Sequence, residues 1–313
     1  MGSRTIAVAG GTGKLGRAIV EELITHGGYK VFVLSRESDV QIANVLEASI
    51  LATDYGNVNS IVKQLETNDV DTVISTLGST FGTDSEIALI KAAESSKKTT
   101  RYIPSLWGIP CSPEAATILP TMSAKSGYLD LLASTSLEYT AVSNGIFLDY
   151  YGFPKVKSYL GNLPRVIDMA GNAAAIPGSG DMPVVFSYSF DVGRFIAALL
   201  SSARWEKESV IIGDKMTWNE FLIVAEETKG IKFESKHDSL TALQKGRSTA
   251  LPSQRKLYPY FPKEKLERMC AMFGVLFENG FFNFRREGSL NEKFPHIATK
   301  SVKALLMESW SDS

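Results

Sequence analysis

Three glycines near the start of the chain have the spacing of a phosphate-binding turn. Gly10, Gly13 and Gly16 follow a short apolar run and precede an amphipathic stretch. The first glycine lets the chain turn, the second lets the backbone approach a diphosphate, and the third lets a helix pack against the strand. The helix N-terminus adds N–H donors and the positive end of its dipole. In this context the spacing predicts a dinucleotide site. A turn without a ligand would not need all three glycines.

A basic residue after the second strand indicates which dinucleotide binds. The run 30–34 has the pattern of a buried strand; Ser35 and Arg36 follow it, and Glu37 comes one place later. NAD sites usually carry Asp or Glu at the strand end for the ribose 2′-hydroxyl, whereas NADP sites carry Arg near the 2′-phosphate. Because a guanidinium can bind phosphate bidentately, we expect NADP(H) rather than NAD(H). The alternative is a solvated loop arginine.

The first half of the chain alternates strands and helices around these residues. Further strands are predicted at 48–52, 70–75, 101–104 and 137–143, and helices at 58–65, 85–95 and about 122–134. This alternation predicts an α/β protein with a Rossmann-type, doubly wound parallel sheet and right-handed crossovers. Ligands of such sheets bind at the carboxyl ends of the strands. We therefore expect one crevice to collect the strand tails at Gly10–Gly13, Ser35–Arg36, Thr76–Gly78, Pro104–Gly108 and Ser143–Phe147.

The second half changes character. Residues 150–180 are rich in Gly, Pro, Asn and aromatic residues and read as loop and short hairpin. Helical periodicity follows at 191–200, 218–228, 240–246, 263–277 and 299–308, with one strand at 209–213. We predict an NADP-binding Rossmann domain over 1–155, to which a later segment, about 183–215, returns. A smaller, mostly helical substrate or lid domain is predicted over 156–182 and 216–313.

Composition sets the limits on partners. The 313 residues are 44% hydrophobic and 21% charged, with a net charge of −1, so charge predicts no nucleic-acid or membrane partner. Cys111 and Cys270 are far apart, and the three histidines form no metal pattern, so no metal site is expected. The start shows no signal-peptide pattern, and a reducing cytoplasmic setting is the expectation. The expected partner is a small-molecule substrate, and the expected state is a monomer or homodimer.

Short motifs spread over nearly the whole chain carry a family resemblance. Besides the glycine turn and Arg36, they are Arg101–Ser105 followed by Trp107–Gly108, Lys125 opening a helix, Asn144–Phe147, and Asp191–Phe195. Together they resemble the NmrA-like and isoflavone-reductase-like branch of the atypical short-chain dehydrogenases, most closely its filamentous-fungal members. The resemblance implies NADPH-dependent reduction of phenolic and related natural products. Some members bind NADP as redox-sensing regulators, and others perform non-redox steps of secondary metabolism.

The resemblance also implies roles for particular residues. Lys125 holds the place of a lysine that contacts the nicotinamide ribose and donates a proton or polarises the substrate oxygen. A partly desolvated lysine beside a cationic nicotinamide should have a lowered pKa, which suits acid–base work. The alternative is a surface lysine on a helix. The predicted cofactor-binding residues are Gly10, Thr12, Gly13, Lys14, Leu15, Gly16, Ser35, Arg36, Thr76, Leu77, Gly78, Lys125, Asn144, Gly145 and Phe147.

The predicted substrate pocket is apolar and aromatic. Its candidate residues are Trp107, Tyr128, Tyr150, Tyr151 and Phe153, and aromatic walls suit a flat substrate. Core packing is the alternative for at least half of these side chains. The chain also departs from its relatives, which usually carry Pro-Ser-Glu where this sequence has Leu106 after Ser105. An apolar side chain there replaces a carboxylate, which puts the substrate and the reaction in question.

Competing catalytic motifs are weaker. Tyr151 and Lys155 match the letters of the usual short-chain dehydrogenase pair, but Gly152 and Pro154 oppose a helix between them. Hydrolase and phosphate-loop kinase motifs are missing from the sequence. Three hypotheses stay open. They are an NADPH-dependent reductase of a small aromatic or heterocyclic natural product, a non-redox cyclase or isomerase acting on an iminium or carbonyl and retaining NADP, and an NADP-sensing regulatory protein.

Overall fold

A six-stranded sheet organises the first half of the chain. The computed structural model describes residues 2–37, 40–78 and 82–311. The strands of this sheet are β1 (Thr5–Ala9), β2 (Lys30–Ser35), β3 (Ser49–Ala52), β4 (Thr72–Ser75), β5 (Arg101–Ile103) and β6 (Glu138–Tyr139). Their order is β3-β2-β1-β4-β5-β6, and every neighbouring pair is parallel. This is the strand order of a Rossmann fold, so the predicted fold class is confirmed.

Helices connect these strands. They are α1 (Lys14–His26), α2 (Val40–Leu46), α3 (Val58–Thr67), α4 (Asp84–Ser95), α5 (Pro113–Ile118) and α6 (Pro120–Ala133). In α1 the residues at 15, 16, 18, 19, 20 and 23 are buried, the apolar stripe expected of a helix that covers a sheet. Asn57 caps α3 by accepting a hydrogen bond from the backbone N–H of Ser60. Helix formation here therefore follows from local sequence as well as from packing.

The second half contributes short strands and the remaining helices. The strands are β7 (Ala141–Ser143), β8 (Ile146–Phe147), β9 (Ile167–Asp168), β10 (Ala173–Pro177), β11 (Val184–Ser187), β12 (Glu208–Val210), β13 (Asp214–Met216) and β14 (Glu234–Asp238). The helices are α7 (Asp149–Gly152), α8 (Ser189–Leu200), α9 (Trp218–Lys229), α10 (Leu240–Gln244), α11 (Lys263–Glu278), α12 (Leu290–Lys293) and α13 (Val302–Trp310), and a 3₁₀ helix spans Pro252–Leu257. The small sheets have the orders β14-β10-β9, β13-β11-β8 and β12-β7.

The strand predicted at 137–143 is divided between two partners. Its first part, β6, pairs with β5, and the N–H of Thr140 still donates to the carbonyl of Tyr102 (3.3 Å). From Ala141 the chain pairs instead with β12, beginning with a hydrogen bond to the carbonyl of Lys207 (2.9 Å). The change of partner lets the same extended segment carry residues 144–147 beyond β5.

Besides a core that packs α3, α4 and α6 on the sheet, two large cores stabilise the described part of the molecule. One joins the sheet to α1 and α8, whose Ile19, Leu23, Phe195 and Ile196 are fully buried together. The other is rich in aromatic side chains from β11, α9 and α11. The first core brings α8 against α1, in keeping with a return of the chain to the first domain. The predicted domain division stays a prediction, and its ends at 1 and 312–313 lie outside the described residues. None of the helices described is long and apolar enough to cross a membrane.

Candidate functional site

The geometry of the glycine turn shows the predicted bend at Gly10 and the predicted close packing at Gly16. Gly10 has φ of +75°, which only glycine adopts readily, and its N–H donates to the carbonyl of Leu34 (3.0 Å). A Cβ on Gly16 would lie 2.3 Å from the carbonyl oxygen of Gly10 and 2.5 Å from Oγ1 of Thr76. A Cβ on Gly13 would meet only the oxygen of Gly10, at 3.6 Å. The turn is therefore closely packed at Gly16 and open above Gly13.

The start of α1 offers backbone donors with no side-chain cap. Gly13 occupies the N-cap position in an extended conformation, and the first turn contains no acidic residue. Lys14 is exposed beside it, whereas Leu15 packs its side chain into the core. Leu15 could therefore contact a ligand through its backbone but not through its side chain. Uncapped N–H groups and a nearby ammonium form a suitable binding place for a phosphate.

This difference between the glycines leads to a prediction. Gly16→Ala should lower the free energy of unfolding by about 3 kcal/mol, because the new methyl group would overlap backbone that cannot move freely. Gly13→Ala should cost less than about 1 kcal/mol, since the space there is open, yet it should weaken dinucleotide binding. Urea unfolding and nucleotide titration of both variants measure these effects. Equal losses of stability would contradict the packing role of Gly16.

The carboxyl ends of three neighbouring strands are joined by side-chain hydrogen bonds. Oγ1 of Thr76 donates to the carbonyl of Ala9 (2.8 Å), which ties β4 to β1. Oγ of Ser105 donates to the carbonyl of Leu77 (2.8 Å), which ties the segment after β5 to the one after β4. The indole N–H of Trp107 also donates to a backbone carbonyl at the end of β4 (3.0 Å). The tails of β1, β4 and β5 therefore converge, as predicted for them.

The segment after β7 joins the same edge through Asn144. This residue is fully buried, and its Oδ1 accepts a hydrogen bond from the N–H of Gly108 (3.0 Å). The N–H groups of Asn144 and Gly145 both donate to the carbonyl of Gly108 (3.0 and 2.9 Å). Gly145 has φ of +71°, and a Cβ there would lie 2.1 Å from the carbonyl of Val185. The side chain of Asn144 thus orients the loop, which leads directly to Phe147.

A cavity lies beyond the ends of β2 and β3. Its volume is about 520 Å³, and its lining residues are Arg36, Ala52, Thr53, Asp54, Tyr55, Gly56 and Ser85. The phenol of Tyr55 donates to the carbonyl of Leu34 (2.9 Å), and Asp54 accepts the N–H of Gly56 (2.9 Å). Sequence reasoning selected Arg36 but missed Thr53–Gly56, although this run directly follows a predicted strand. The size of the cavity suits a nucleoside, with the guanidinium available to a phosphate.

Lys125 reaches the site from α6. Its Nζ donates a hydrogen bond to the carbonyl of Ser105 (2.8 Å), at the end of β5. Burial lowers the pKa of the half-buried ammonium, while the Glu86 carboxyl and the Cys111 thiol nearby oppose that shift. The lysine is therefore no ordinary surface residue. It is held at the edge of the sheet, with a pKa displaced towards the range of acid–base catalysis.

Glu86 is the residue beside Lys125 that sequence reasoning missed. Its carboxylate is buried and accepts hydrogen bonds from the phenol of Tyr102 and the N–H of Ser105, both at 3.1 Å, and from the hydroxyl of Ser75. Burial raises the pKa of this carboxyl, and these hydrogen bonds and Lys125 oppose the increase. Helical spacing could have indicated that Glu86 is buried, because it lies on the same face of α4 as the buried apolar residues at 89, 90 and 93.

The carboxyl of Glu86 lies next to Leu106, the position at which the family resemblance implies a carboxylate. Leu106 is 4% exposed and packs in the core. The carboxylate from α4 bonds to the backbone N–H of the preceding residue, Ser105. A carboxyl group is therefore present in this region, supplied by a helix rather than by the loop after β5.

Removing the carboxyl of Glu86 should destabilise the fold. Glu86→Ala would leave three donors without their acceptor, which should lower the free energy of unfolding by about 3 kcal/mol. Glu94→Ala, on the same helix, is the matched control because Glu94 is exposed and, among the residues described, accepts hydrogen bonds from Ser136 alone. We expect the control to cost less than about 1 kcal/mol in the same urea titration. Similar losses in the two variants would show that the buried hydrogen bonds of Glu86 stabilise the fold no more than those of an exposed glutamate.

The aromatic candidates divide between the site and the cores. Trp107 and Phe147 are partly buried near the strand ends, and the ring of Tyr150 packs edge-on to that of Phe147 at 6.2 Å. Tyr151 is 2% exposed, with its ring centre 4.8 Å from that of Phe221. Tyr128 is also 2% exposed, whereas Phe153 is 39% exposed. The structure assigns Tyr151 and Tyr128 to core packing, the alternative that the sequence left open, because neighbouring apolar side chains cover both rings.

The competing tyrosine–lysine pair does not form a catalytic motif. Helix α7 ends at Gly152, and Phe153 is extended, so Tyr151 and Lys155 do not share a helix face. This agrees with the expectation from Gly152 and Pro154. Within residues 2–37, 40–78 and 82–311, three or more metal-ligating side chains do not come together anywhere. The chemistry available at the site is therefore that of Lys125, backbone donors and whatever ligand the glycine turn binds.

The strand order, the glycine turn and the lysine at the sheet edge together define a Rossmann-type α/β protein of the dinucleotide-binding class. More specifically, the chain belongs to the NmrA-like family, whose model matches residues 2–287. This confirms the family resemblance. The match includes the glycine turn, Arg36, Glu86 and Lys125.

Individual relatives are fungal and plant proteins. The chain is 35% identical over 297 residues to the oxidoreductase BOA1 of Botryotinia fuckeliana, covering 93% of this chain and 95% of that protein. It is 28% identical over 332 residues to the oxidoreductase swnN of Metarhizium robertsii, covering 98% and 97%. The NADPH complex of leucoanthocyanidin reductase from Vitis vinifera has the same fold, with a TM-score of 0.76, 19% identity, and coverage of 97% of this chain and 99% of that one.

Proposed function

We propose that this chain is an NADP(H)-dependent oxidoreductase that reduces a small aromatic or heterocyclic natural product in secondary metabolism. The observation that carries the proposal is the position of Lys125, whose Nζ is held by the carbonyl of Ser105 where the strand ends meet. The relatives BOA1 and swnN are named oxidoreductases, and the fold neighbour from Vitis vinifera binds NADPH. These likenesses support the proposal.

The residues present fit the proposed cofactor. The uncapped start of α1 and the open space above Gly13 suit the diphosphate, and the cavity beside Arg36 suits the adenosine with its 2′-phosphate. Thr76, Leu77 and Gly78 and the Asn144–Phe147 segment would border the nicotinamide half. When bound, NADPH supplies a hydride to a carbon of the substrate.

The part of this chain in the reaction is to position the substrate and move a proton. Lys125 would contact the ribose and either donate a proton to the substrate oxygen or polarise it. Its lowered pKa makes the ammonium a stronger acid than that of an exposed lysine. The rings of Trp107, Phe147 and Tyr150 would exclude water from the reacting atoms. A cyclase or isomerase that retains NADP would use the same lysine without consuming the cofactor.

One assay separates these functions. A panel of aromatic and heterocyclic ketones, enones and imines is incubated with the purified chain and NADPH, and product and NADPH absorbance are followed together. Product formed with stoichiometric loss of NADPH is the expected result. Product formed without loss of NADPH would contradict the reductase function and support a non-redox cyclase or isomerase. The absence of turnover across the panel, with a protein partner that binds only when NADP is bound, would favour a regulator.

A further inference from the structure

Arg165 has a guanidinium without an anionic partner in the described part of the chain. It lies just before β9, in the segment that follows α7. Its Nε is buried and makes no hydrogen bond to the part of the chain that the structure describes. None of the ion pairs formed among those residues includes it. Its Cζ instead lies 3.9 Å from the ring centre of Phe273 and 5.8 Å from that of Tyr150.

The acidic side chains of the adjoining elements α7 and β9 are already engaged. Asp149, at the start of α7, accepts hydrogen bonds from Ser158 and Ser189. Asp168, in β9, accepts the backbone N–H groups of Gly171 and Ser253 (2.9 and 2.7 Å). Neither of these two carboxylates forms an ion pair with Arg165.

A buried guanidinium nitrogen without a hydrogen bond is costly unless something else stabilises it. Two aromatic faces supply part of that stabilisation, because a guanidinium is attracted to the ring quadrupole. They leave its in-plane N–H donors unused. Those donors form a planar fork that matches a carboxylate, and stacking on two rings would hold the fork in a fixed orientation.

The position of Arg165 links it to the proposed active site. The ring of Tyr150 contacts both Arg165 and Phe147, at 5.8 and 6.2 Å, and Phe147 ends the segment that begins at Asn144. The guanidinium also lies over the ring of Phe273, which comes from α11, a helix that packs against α5. We call Phe147, Tyr150 and Phe273 the aromatic row. It runs from the strand ends to the guanidinium.

We infer that Arg165 binds a carboxylate of the substrate while the aromatic row contacts its ring. The inference rests on the proposed function, because it assigns a chemical class to the same substrate on which Lys125 acts. It narrows that class to acidic aromatic or heterocyclic compounds. A substrate whose only charge is that of an iminium would be repelled by this cation, so such a ligand is disfavoured at this end of the site.

Binding to the NADP⁺-loaded protein tests the inference without knowledge of the true substrate. The probes are benzoate, cinnamate and naphthalene-2-carboxylate, each paired with its neutral amide, and affinity is measured by calorimetry. At least one acid should bind the wild type about tenfold or more tightly than its amide. Arg165→Met should abolish this preference while changing the affinity for the amide less than about threefold. If no acid binds more tightly than its amide, the inference is overturned.

Two further variants separate the effect of the Arg165 guanidinium from that of positive charge alone. Arg255→Met removes the same charge from an exposed arginine in the 3₁₀ helix and should keep the preference for the acid. Arg165→Lys keeps the charge but not the planar fork, and should keep only part of the preference. A preference that survives Arg165→Met would also overturn the inference. NADP⁺ affinity is measured separately, so failure of the cofactor site is distinguishable from failure of the carboxylate subsite.

Discussion

Replacing Lys125 with methionine should lower kcat of the proposed reduction by about 100-fold or more, the usual loss when a general acid is removed. Methionine keeps much of the apolar stem but cannot donate a proton or polarise the substrate oxygen. Because Nζ bonds only to the carbonyl of Ser105 among the residues described, the fold should tolerate the change. NADPH affinity should change much less than kcat. Steady-state kinetics and nucleotide titration of the same preparation measure both effects.

Lys125→Arg separates the two roles open to this lysine. Arginine stays protonated at all accessible pH values, so it can polarise an oxygen but is a poor proton donor. Strong recovery of kcat in Lys125→Arg would favour polarisation, and loss as large as in Lys125→Met would favour donation. A methionine variant with wild-type kcat would remove Lys125 from the chemistry altogether.

The pH profile provides an independent check on Lys125. A donor must be protonated, so activity should fall as pH rises through the pKa of Lys125. Burial places that pKa below the ordinary 10.5, and the falling limb should therefore lie at lower pH than for an exposed lysine. This limb should be absent from the residual activity of Lys125→Met. If the falling limb of the pH profile persisted in Lys125→Met, it would report the titration of a group other than Lys125.

Replacing Arg36 with alanine should weaken NADPH binding about 30-fold, which corresponds to about 2 kcal/mol for hydrogen bonds between a guanidinium and a phosphate. NADH affinity should change less than about threefold, because NADH has no 2′-phosphate for the guanidinium to bind. The side chain of Arg36 is exposed at the cavity beside β2 and β3, so its loss should leave the fold intact. Titration of the variant with both nucleotides measures the selectivity.

Glu37→Ala is the matched control for Arg36. It changes the charge of the neighbouring exposed residue in the opposite direction, and it should leave NADPH affinity unchanged or slightly increased. If Arg36→Ala weakened NADPH and NADH equally, the arginine would support the binding loop without recognising the extra phosphate.

Much of the fold could be predicted because its elements repeat one local pattern. Each apolar run in the first half is followed by an amphipathic stretch, and parallel strands of this kind order themselves by right-handed crossovers. The division of residues 137–143 between β5 and β12 could not be predicted, because the partner of the second part lies some 65 residues further along the chain. Local sequence shows that a segment is extended but not which strand it meets.

The candidate site was predictable where backbone geometry dictates residue type. Gly10 and Gly16 are required by a positive φ and by a close approach, and both requirements are visible in the spacing. Glu86 and Arg165 escaped prediction because their importance comes from burial and from contacts with distant segments. Tyr151 was selected for its aromatic character, which a core and a pocket wall use equally.

Every function proposed for this chain requires that the glycine turn and Arg36 bind a phosphorylated nicotinamide dinucleotide. Calorimetric titration of the purified chain with NADPH, NADP⁺ and NADH tests it most directly. We expect both phosphorylated nucleotides to bind with one-to-one stoichiometry and NADH to bind about 30-fold more weakly than NADPH. Absence of binding by NADPH and NADP⁺, or NADH affinity equal to that of NADPH, would contradict the account.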